Sequence, residues 1–249
     1  MNIEITGSPI FTTLPILGGI PITATLVVTW GIMLLLTVFC IWLTHDLRVD
    51  NVTTRQTIAE FLVNTAQDFV DNNMGVRFSH YAPFIAAIFS LSLLSSLSGL
   101  LGLFSPTADL STELGWAVLV FVLITATKIK TNGVGGYLKG YTQPIAVLTP
   151  FNIISEIATP ISMAFRHFGN IVSGTVISTL IYAALGTASH ALFSLLPGVV
   201  GDLLSQIPFL SVGIPAVFSL YFDWFSSFMQ AFIFCMLTMM YIAAAADAD

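Results

Sequence analysis

Five stretches of this chain are apolar over a length that can cross the hydrocarbon core of a bilayer, which takes about 20 residues in an α-helix. Water is absent there, so a spanning segment must satisfy its own backbone hydrogen bonds, which favours helices. The stretches therefore predict an all-α polytopic membrane protein whose five transmembrane helices lie at residues 22–43, 81–104, 114–130, 150–186 and 210–246. Because the last two exceed the bilayer thickness, we expect both to be long and tilted.

Composition supports this class of protein. Only 8% of the residues are charged and 56% are hydrophobic, whereas soluble domains have about 25% charged residues. The net charge of −6 comes from scattered acids, and without a basic patch we expect no nucleic-acid partner. The first twenty residues hold no Lys or Arg, which argues against a cleavable signal peptide. We expect one membrane domain over residues 1–249, in a bacterial plasma (inner) membrane rather than an organelle.

The segment between the first two spans has a different pattern. Residues 53–74 place apolar side chains on one helical face and charges elsewhere, which predicts an amphipathic helix on the membrane surface. The apolar face comprises Ile58, Phe61, Leu62, Ala66, Phe69 and Val70. Within residues 187–208, the stretch 190–204 is apolar but short and is interrupted by Pro197 and two glycines, which favours a re-entrant or interfacial turn rather than a span.

Six of the seven basic residues fall in two loops that five spans put on one side of the membrane. They are Arg48, Arg55, Arg77, Lys128, Lys130 and Lys139. By the positive-inside rule this side is cytoplasmic, so we expect the N-terminus outside and the C-terminus inside.

The seventh basic residue, Arg166, falls within the fourth span. An arginine at that depth costs a few kcal/mol by insertion scales, and it cannot shed its proton. Such a charge indicates function rather than packing. Glu156 lies ten residues earlier, about 15 Å along a helix, and Asn170 lies four residues later on the same face.

The fifth span holds two polar residues on one face, Asp223 and Gln230. If the last two helices pack antiparallel, Gln230 comes to the depth of Arg166. The polar groups then form an inner cluster and an outer cluster with the arginine between them. Two half-channels separated by a cation make sense only if a partner carries the ion from one to the other.

These residues resemble the family of F-type ATP synthase subunit a. The run Pro160-Ile-Ser-Met-Ala-Phe-Arg166-His-Phe-Gly-Asn170-Ile-Val-Ser-Gly174 resembles its signature helix. Pro106-Thr-Ala-Asp109 resembles an outward loop of the family, and Gln230-Ala-Phe-Ile-Phe its last helix. The resemblance covers about residues 20 to 246. Thr175 departs from the His or Glu that the family usually has there.

The resemblance implies that an ion, which we expect to be a proton, moves through two offset half-channels to and from a rotating ring of small subunits, coupled to ATP synthesis. The implied residues are Arg166, Gln230 and Asn170 at the centre, Asp109, Asp223 and Thr175 outside, and Glu156 and Ser162 inside. The implied partners are the c-ring, the subunit b peripheral stalk, the remaining subunits of the F1Fo complex and the lipid bilayer. The resemblance implies no cofactor and no metal. His167 is expected either to line the ring interface or to be a local packing residue, of which the packing role is favoured.

Other classes of protein remain open at this point. In a secondary transporter or channel, Arg166 would sit in an anion site, but the inverted repeat typical of such proteins is not visible. We expect no nucleotide site, because Gly133-Val-Gly135-Gly136 lacks the Lys-Ser/Thr of a P-loop. A structural assembly subunit would leave the buried arginine unexplained. The sequence does not decide between proton and sodium ion, nor does it give the ring size.

Overall fold

The computed structural model describes residues 8–15, 19–50, 52–193 and 220–246. Six α-helices dominate it: α1 (Ala24–Thr44), α2 (Thr54–Met74), α3 (Ala82–Leu97), α4 (Leu110–Gly140), α5 (Thr149–Phe193) and α6 (Ser226–Ala246). Five helical segments are long and apolar enough to span a membrane, and α2 is the additional helix. The predicted all-α polytopic fold is confirmed.

One short element was not predicted. β1 (Ile10–Leu14) and β2 (Ile20–Thr23) form an antiparallel hairpin ahead of α1. Both strands are rich in β-branched residues, which favour extended backbone. The search for long apolar stretches cannot detect strands of four or five residues.

The second helix matches the predicted amphipathic segment. The Thr53 hydroxyl accepts a hydrogen bond from the Gln56 amide at its start, and Gly75 ends it with φ of 91°, a conformation that favours glycine. Val70 packs into the core, whereas Phe61 is 67% exposed. This exposed apolar surface fits the predicted position on the membrane surface, which stays a prediction.

The buried core lies mainly between α3, α4 and α6, with contributions from α2 and α5. Its members include Ile85, Val120, Met163, Cys235 and Met239. In contrast, α1 buries only Ala24, Thr25 and Leu43 and exposes most of its large apolar side chains. This helix is therefore attached to the edge of the bundle.

Two helices exceed what a straight span requires. With 45 residues, α5 is about 67 Å long, more than twice the hydrocarbon thickness of about 30 Å. Pro160 lies inside it and removes one helical hydrogen bond, which permits a bend. In α4, Gly133 adopts φ of 70° and ψ of 168°, and the helix is kinked there.

The described part of the predicted last span is helical throughout, from Leu220 to Ala246. A π-helical turn, Leu220–Phe225, leads directly into α6 at Ser226. The predicted bounds from 210 to 219 lie outside the described residues. Residues 187–193 of the predicted re-entrant segment continue α5, and the rest of that segment also lies outside the described part.

Candidate functional site

Arg166 lies on an exposed face of α5. The exposed residues around it include the apolar Ile161, 43% exposed, and Phe165, 52% exposed, and the polar Ser162 one turn earlier. Among the described residues, the guanidinium has no hydrogen bond and no ion pair. A permanent cation at membrane depth requires acceptors, and no described residue supplies them.

The adjacent residue, His167, points in the opposite sense, into the bundle. Its Nδ1 atom lies 3.2 Å from a carboxylate oxygen of Glu113 on α4. The side chains are 1% and 0% exposed. His167 is therefore more than the packing residue expected from the sequence, because it contacts an acid that the sequence reasoning did not select.

The surroundings of this pair are aromatic. The imidazole ring centroid lies 6.5 Å from Trp116 of α4 and 6.0 Å from Phe234 of α6. Neither the carboxylate oxygens nor the ring nitrogens have a hydrogen bond to any described residue. The Glu113–His167 contact is thus a pair of ionisable groups in a dry, three-helix junction.

The α5–α6 contact is antiparallel. The Asn170 amide donates a short hydrogen bond to the Ser226 hydroxyl, and His167 contacts Phe234 further along α6. Going back along α5 therefore means going forward along α6. Gln230 lies one turn after Ser226 as Arg166 lies one turn before Asn170, but no hydrogen bond joins Gln230 to Arg166 among the described residues.

The residues predicted for the outer side are not gathered at one point. Asp109 caps α4 by accepting a hydrogen bond from the Ser111 amide at 3.0 Å, and it accepts another from the Thr25 hydroxyl at 2.9 Å. Thr175 is exposed and donates to the Ile171 carbonyl of its own helix. Asp223 belongs to the π-helical turn beside Ser226, but its side chain lies outside the described part of the structure.

On the inner side, Glu156 accepts a hydrogen bond from the Lys128 ammonium group at 2.7 Å. This pair lines a cavity of about 720 Å³ between α4, α5 and α6. The polar side chains that share this cavity are Asn132, Tyr137, Lys139, Tyr141, Gln143, Asn152, Ser155, Thr159 and Tyr241. Ser162 is exposed on α5 and does not line it.

Two tyrosines add hydroxyl groups to the cavity wall. The hydroxyls of Tyr137 and Tyr141 are hydrogen-bonded to each other. Burial raises the pKa of Tyr141 above its ordinary range, and the Glu156 carboxylate and Tyr137 raise it further. Its hydroxyl therefore stays protonated and remains a donor at physiological pH.

Sequence reasoning missed three functional candidates, Glu113, Lys128 and Ser226. An acid in the first turn of a helix usually complements the helix dipole, so nothing in the local pattern relates Glu113 to a histidine 54 positions later. Treating every ionisable residue at membrane depth as functional would have kept His167 as a candidate. Lys128 was assigned to a loop, although it lies within α4.

These features define an integral membrane protein of α-helices, whose described part carries an arginine without a partner and two acid–base pairs among the spanning helices. A sequence model of the family described as ATP synthase A chain matches residues 26–243. The chain belongs to this family, and hence to the ion-translocating subunits of the membrane part of F1Fo ATP synthase.

Three relatives illustrate the match. ATP synthase subunit a of Desulforamulus reducens is 34% identical over 79% of this chain and 68% of its own length. ATP synthase subunit a 1 of Chlorobium luteolum is 33% identical over 78% of this chain and 75% of its own. The protein described as ATP synthase subunit a, sodium ion specific, of Propionigenium modestum is 31% identical over 84% of this chain and 69% of its own.

Proposed function

We propose that this subunit moves protons through two offset half-channels to and from the c-ring, with Arg166 between the half-channels. The observation that carries this proposal is the exposed guanidinium of Arg166 on the outward face of α5, without a partner among the described residues. A passing ring carboxylate supplies the missing acceptor. Arg166 stabilises its ionised form and repels cations that would otherwise cross directly.

The inner half-channel is the cavity that holds Glu156. At about 720 Å³, it accommodates several waters, each of which takes about 30 Å³ in the liquid. Glu156 is 11% exposed and has one lysine partner, so one carboxylate oxygen remains available to accept a proton. Ser162 extends this path along α5 toward Arg166.

The outer half-channel runs past Asp109, Asp223 and Thr175 toward Asn170. Its support is the hydrogen bond from Asn170 to Ser226, which joins α5 to the start of α6 next to the turn that contains Asp223. Asn170 is one helical turn from Arg166, so an ion delivered there is close to the ring-facing surface. Gln230, one turn further along α6, lies at the level of Arg166 along the antiparallel helix pair, although no hydrogen bond joins the two.

We infer that the ion is a proton. A proton needs one acceptor atom, whereas a sodium ion needs several oxygens that replace its hydration shell at one point. Glu156 and Asp109 are single carboxylates on separate elements, which suits proton transfer. Because a relative is described as sodium ion specific, pumping should be measured with and without sodium, and a requirement for sodium would overturn this inference.

The partners proposed for the chain are the c-ring and the subunit b stalk within a bacterial inner membrane. The two basic loops face the cytoplasm, with the N-terminus outside. The secondary-transporter alternative, in which Arg166 binds an anion, gains no support, because Arg166 is exposed on the helix surface and not enclosed in a site formed by described residues.

The test is Arg166→Ala in the assembled complex, reconstituted into vesicles. ATP-driven proton pumping, followed by quenching of a pH-sensitive dye, should be lost while the subunit remains inserted. The matched control is Arg48→Ala, which removes an arginine outside the spans whose partner is Asp46 at 2.6 Å. Normal coupled pumping by Arg166→Ala would defeat the proposal.

A further inference from the structure

The Glu113–His167 pair has no task in the ion path proposed above. Both side chains are fully buried, their contact is 3.2 Å, and neither has a hydrogen bond to another described residue. Burying two ionisable groups is costly, and replacement by apolar residues of similar volume is often no less stable. A pair of this kind is best explained by the single arrangement that it enforces.

The arrangement in question is the rotation of α5 about its own axis. Consecutive residues of an α-helix differ in direction by about 100°. Met163, Ala164 and His167 face the bundle, whereas Phe165 and Arg166 face outward. Turning the helix by one residue would bring Arg166 toward the bundle and remove it from the surface on which a partner can meet it.

Apolar packing alone fixes this rotation weakly. Met163 is flexible and adapts to different neighbours, and Ala164 offers a single methyl group. Apolar contacts of this kind discriminate less sharply between neighbouring rotations of α5 than a contact between two specific polar groups does. Pairing one imidazole with one carboxylate distinguishes between these rotations, because every rotated state leaves Glu113 buried without a partner.

We propose that Glu113 and His167 are a positioning pair, which locks the rotation of α5 so that Arg166 faces the ring. This inference rests on the proposed function of Arg166. Glu113 acts through His167 and does not itself touch the ion or the ring. The lock is set from α4, whose first turn holds Glu113 and whose start is held by the Asp109 cap.

The test measures which face of α5 meets the ring in the assembled complex. In a background of Cys40→Ser and Cys235→Ala, which removes both native cysteines, a reporter is introduced as Phe165→Cys or as Ala164→Cys. Each is oxidised against a cysteine placed beside the ring carboxylate. The Phe165→Cys reporter should form at least about ten times more disulfide than the Ala164→Cys reporter, since only the former faces outward.

Adding Glu113→Ala or His167→Ala should lower this ratio at least about fivefold, and the exchange Glu113→His with His167→Glu should restore it, because the contact is reciprocal. Thr125→Val is the control, since it removes another buried polar group of α4 whose hydroxyl has no hydrogen bond. It should leave the ratio unchanged. After removal of F1, membranes with the single variants should also leak protons. Membranes in which α5 is less stable but correctly oriented should not leak.

The outcomes separate the two proposals. If neither reporter forms a disulfide in the parent complex, the ring-facing role of Arg166 is wrong. If the parent shows the contrast and the Glu113 and His167 variants keep it, the positioning role alone is wrong. If the single variants fail to assemble, the exchanged pair decides: assembly with the parent ratio supports the lock, and failure to assemble overturns it.

Discussion

The two acid–base pairs that join α4 to α5 differ in their surroundings more than in their chemistry. Glu113–His167 and Lys128–Glu156 lie 11 residues apart along α5, which corresponds to about 16 Å. The first pair is enclosed by Trp116 and Phe234 and is fully buried. The second borders a polar cavity, and its lysine side chain is 31% exposed.

This difference distinguishes a pair that holds two helices in one arrangement from a pair that can exchange a proton. A pair without access to water can neither be screened nor easily change its proton count, so it suits a fixed structural contact. A pair beside a cavity that holds several waters can break, become hydrated and re-form at small cost. Its carboxylate can therefore accept an incoming proton. One helix pair thus has a static contact next to Arg166 and an adaptable one about 16 Å away along α5.

The largest effect should come from removing the acid of the dry pair. Glu113→Ala leaves the His167 ring nitrogens buried without any polar partner and should lower the free energy of unfolding by about 3 kcal/mol. The buried thiol of Cys235 provides the measurement in a Cys40→Ser background. The temperature at which this thiol becomes reactive in the solubilised complex should fall by several degrees.

The matched comparison is Glu156→Ala, which should shift that temperature much less. An equal shift for the two variants would show that water reaches the Glu113–His167 pair. The distinction between the two ends of the helix pair would then be lost.

The next effect concerns transport rather than stability. Glu156→Gln keeps the shape of the side chain but cannot accept a proton, and it should slow coupled pumping about a hundredfold. The reactivity of Cys235 should change little. Pumping at the parent rate would mean that protons leave the ring by a route that avoids this cavity.

Particular residues show how far the sequence could go. Arg166, Asn170 and Gln230 were found because a charge or amide stands out in an apolar span, and the antiparallel register of α5 and α6 agrees with the Asn170–Ser226 contact. The five spans followed from length and hydropathy alone. These are local signals, available without knowing which helices touch.

The Glu113–His167 contact had no such signal. Whether an acid in the first turn of α4 meets a histidine of α5 depends on the register of two helices, which apolar side chains of similar size do not encode in a pattern. The contact of Lys128 with Glu156 had no such signal either. It depends on α4 continuing beyond its apolar part, which the hydropathy pattern does not show. The short hairpin before α1 lies below the length that periodicity detects.

A smaller effect should follow from salt. Lys128→Ala removes one member of the exposed pair, which should change the free energy of unfolding by less than about 1 kcal/mol. Raising the salt from about 0.01 M to about 1 M shortens the Debye length from about 30 Å to about 3 Å and should erase this difference. The deficit of Glu113→Ala should persist at high salt, and its disappearance would indicate a hydrated pair.

The smallest effect should come from Tyr141→Phe, which tests whether Glu156 is the proton acceptor of the cavity or shares that task with the tyrosines. The raised pKa of Tyr141 keeps its hydroxyl neutral past the ordinary tyrosine value of about 10. The stabilisation of the neutral form is therefore fully present below that value and is lost only above it. Pumping by Tyr141→Phe should therefore follow the parent pH profile up to about pH 10, with rates within about twofold. A profile that departs from the parent between neutral pH and that limit would assign proton exchange to Tyr141 as well. The cavity would then exchange protons through a hydroxyl network rather than through one carboxylate.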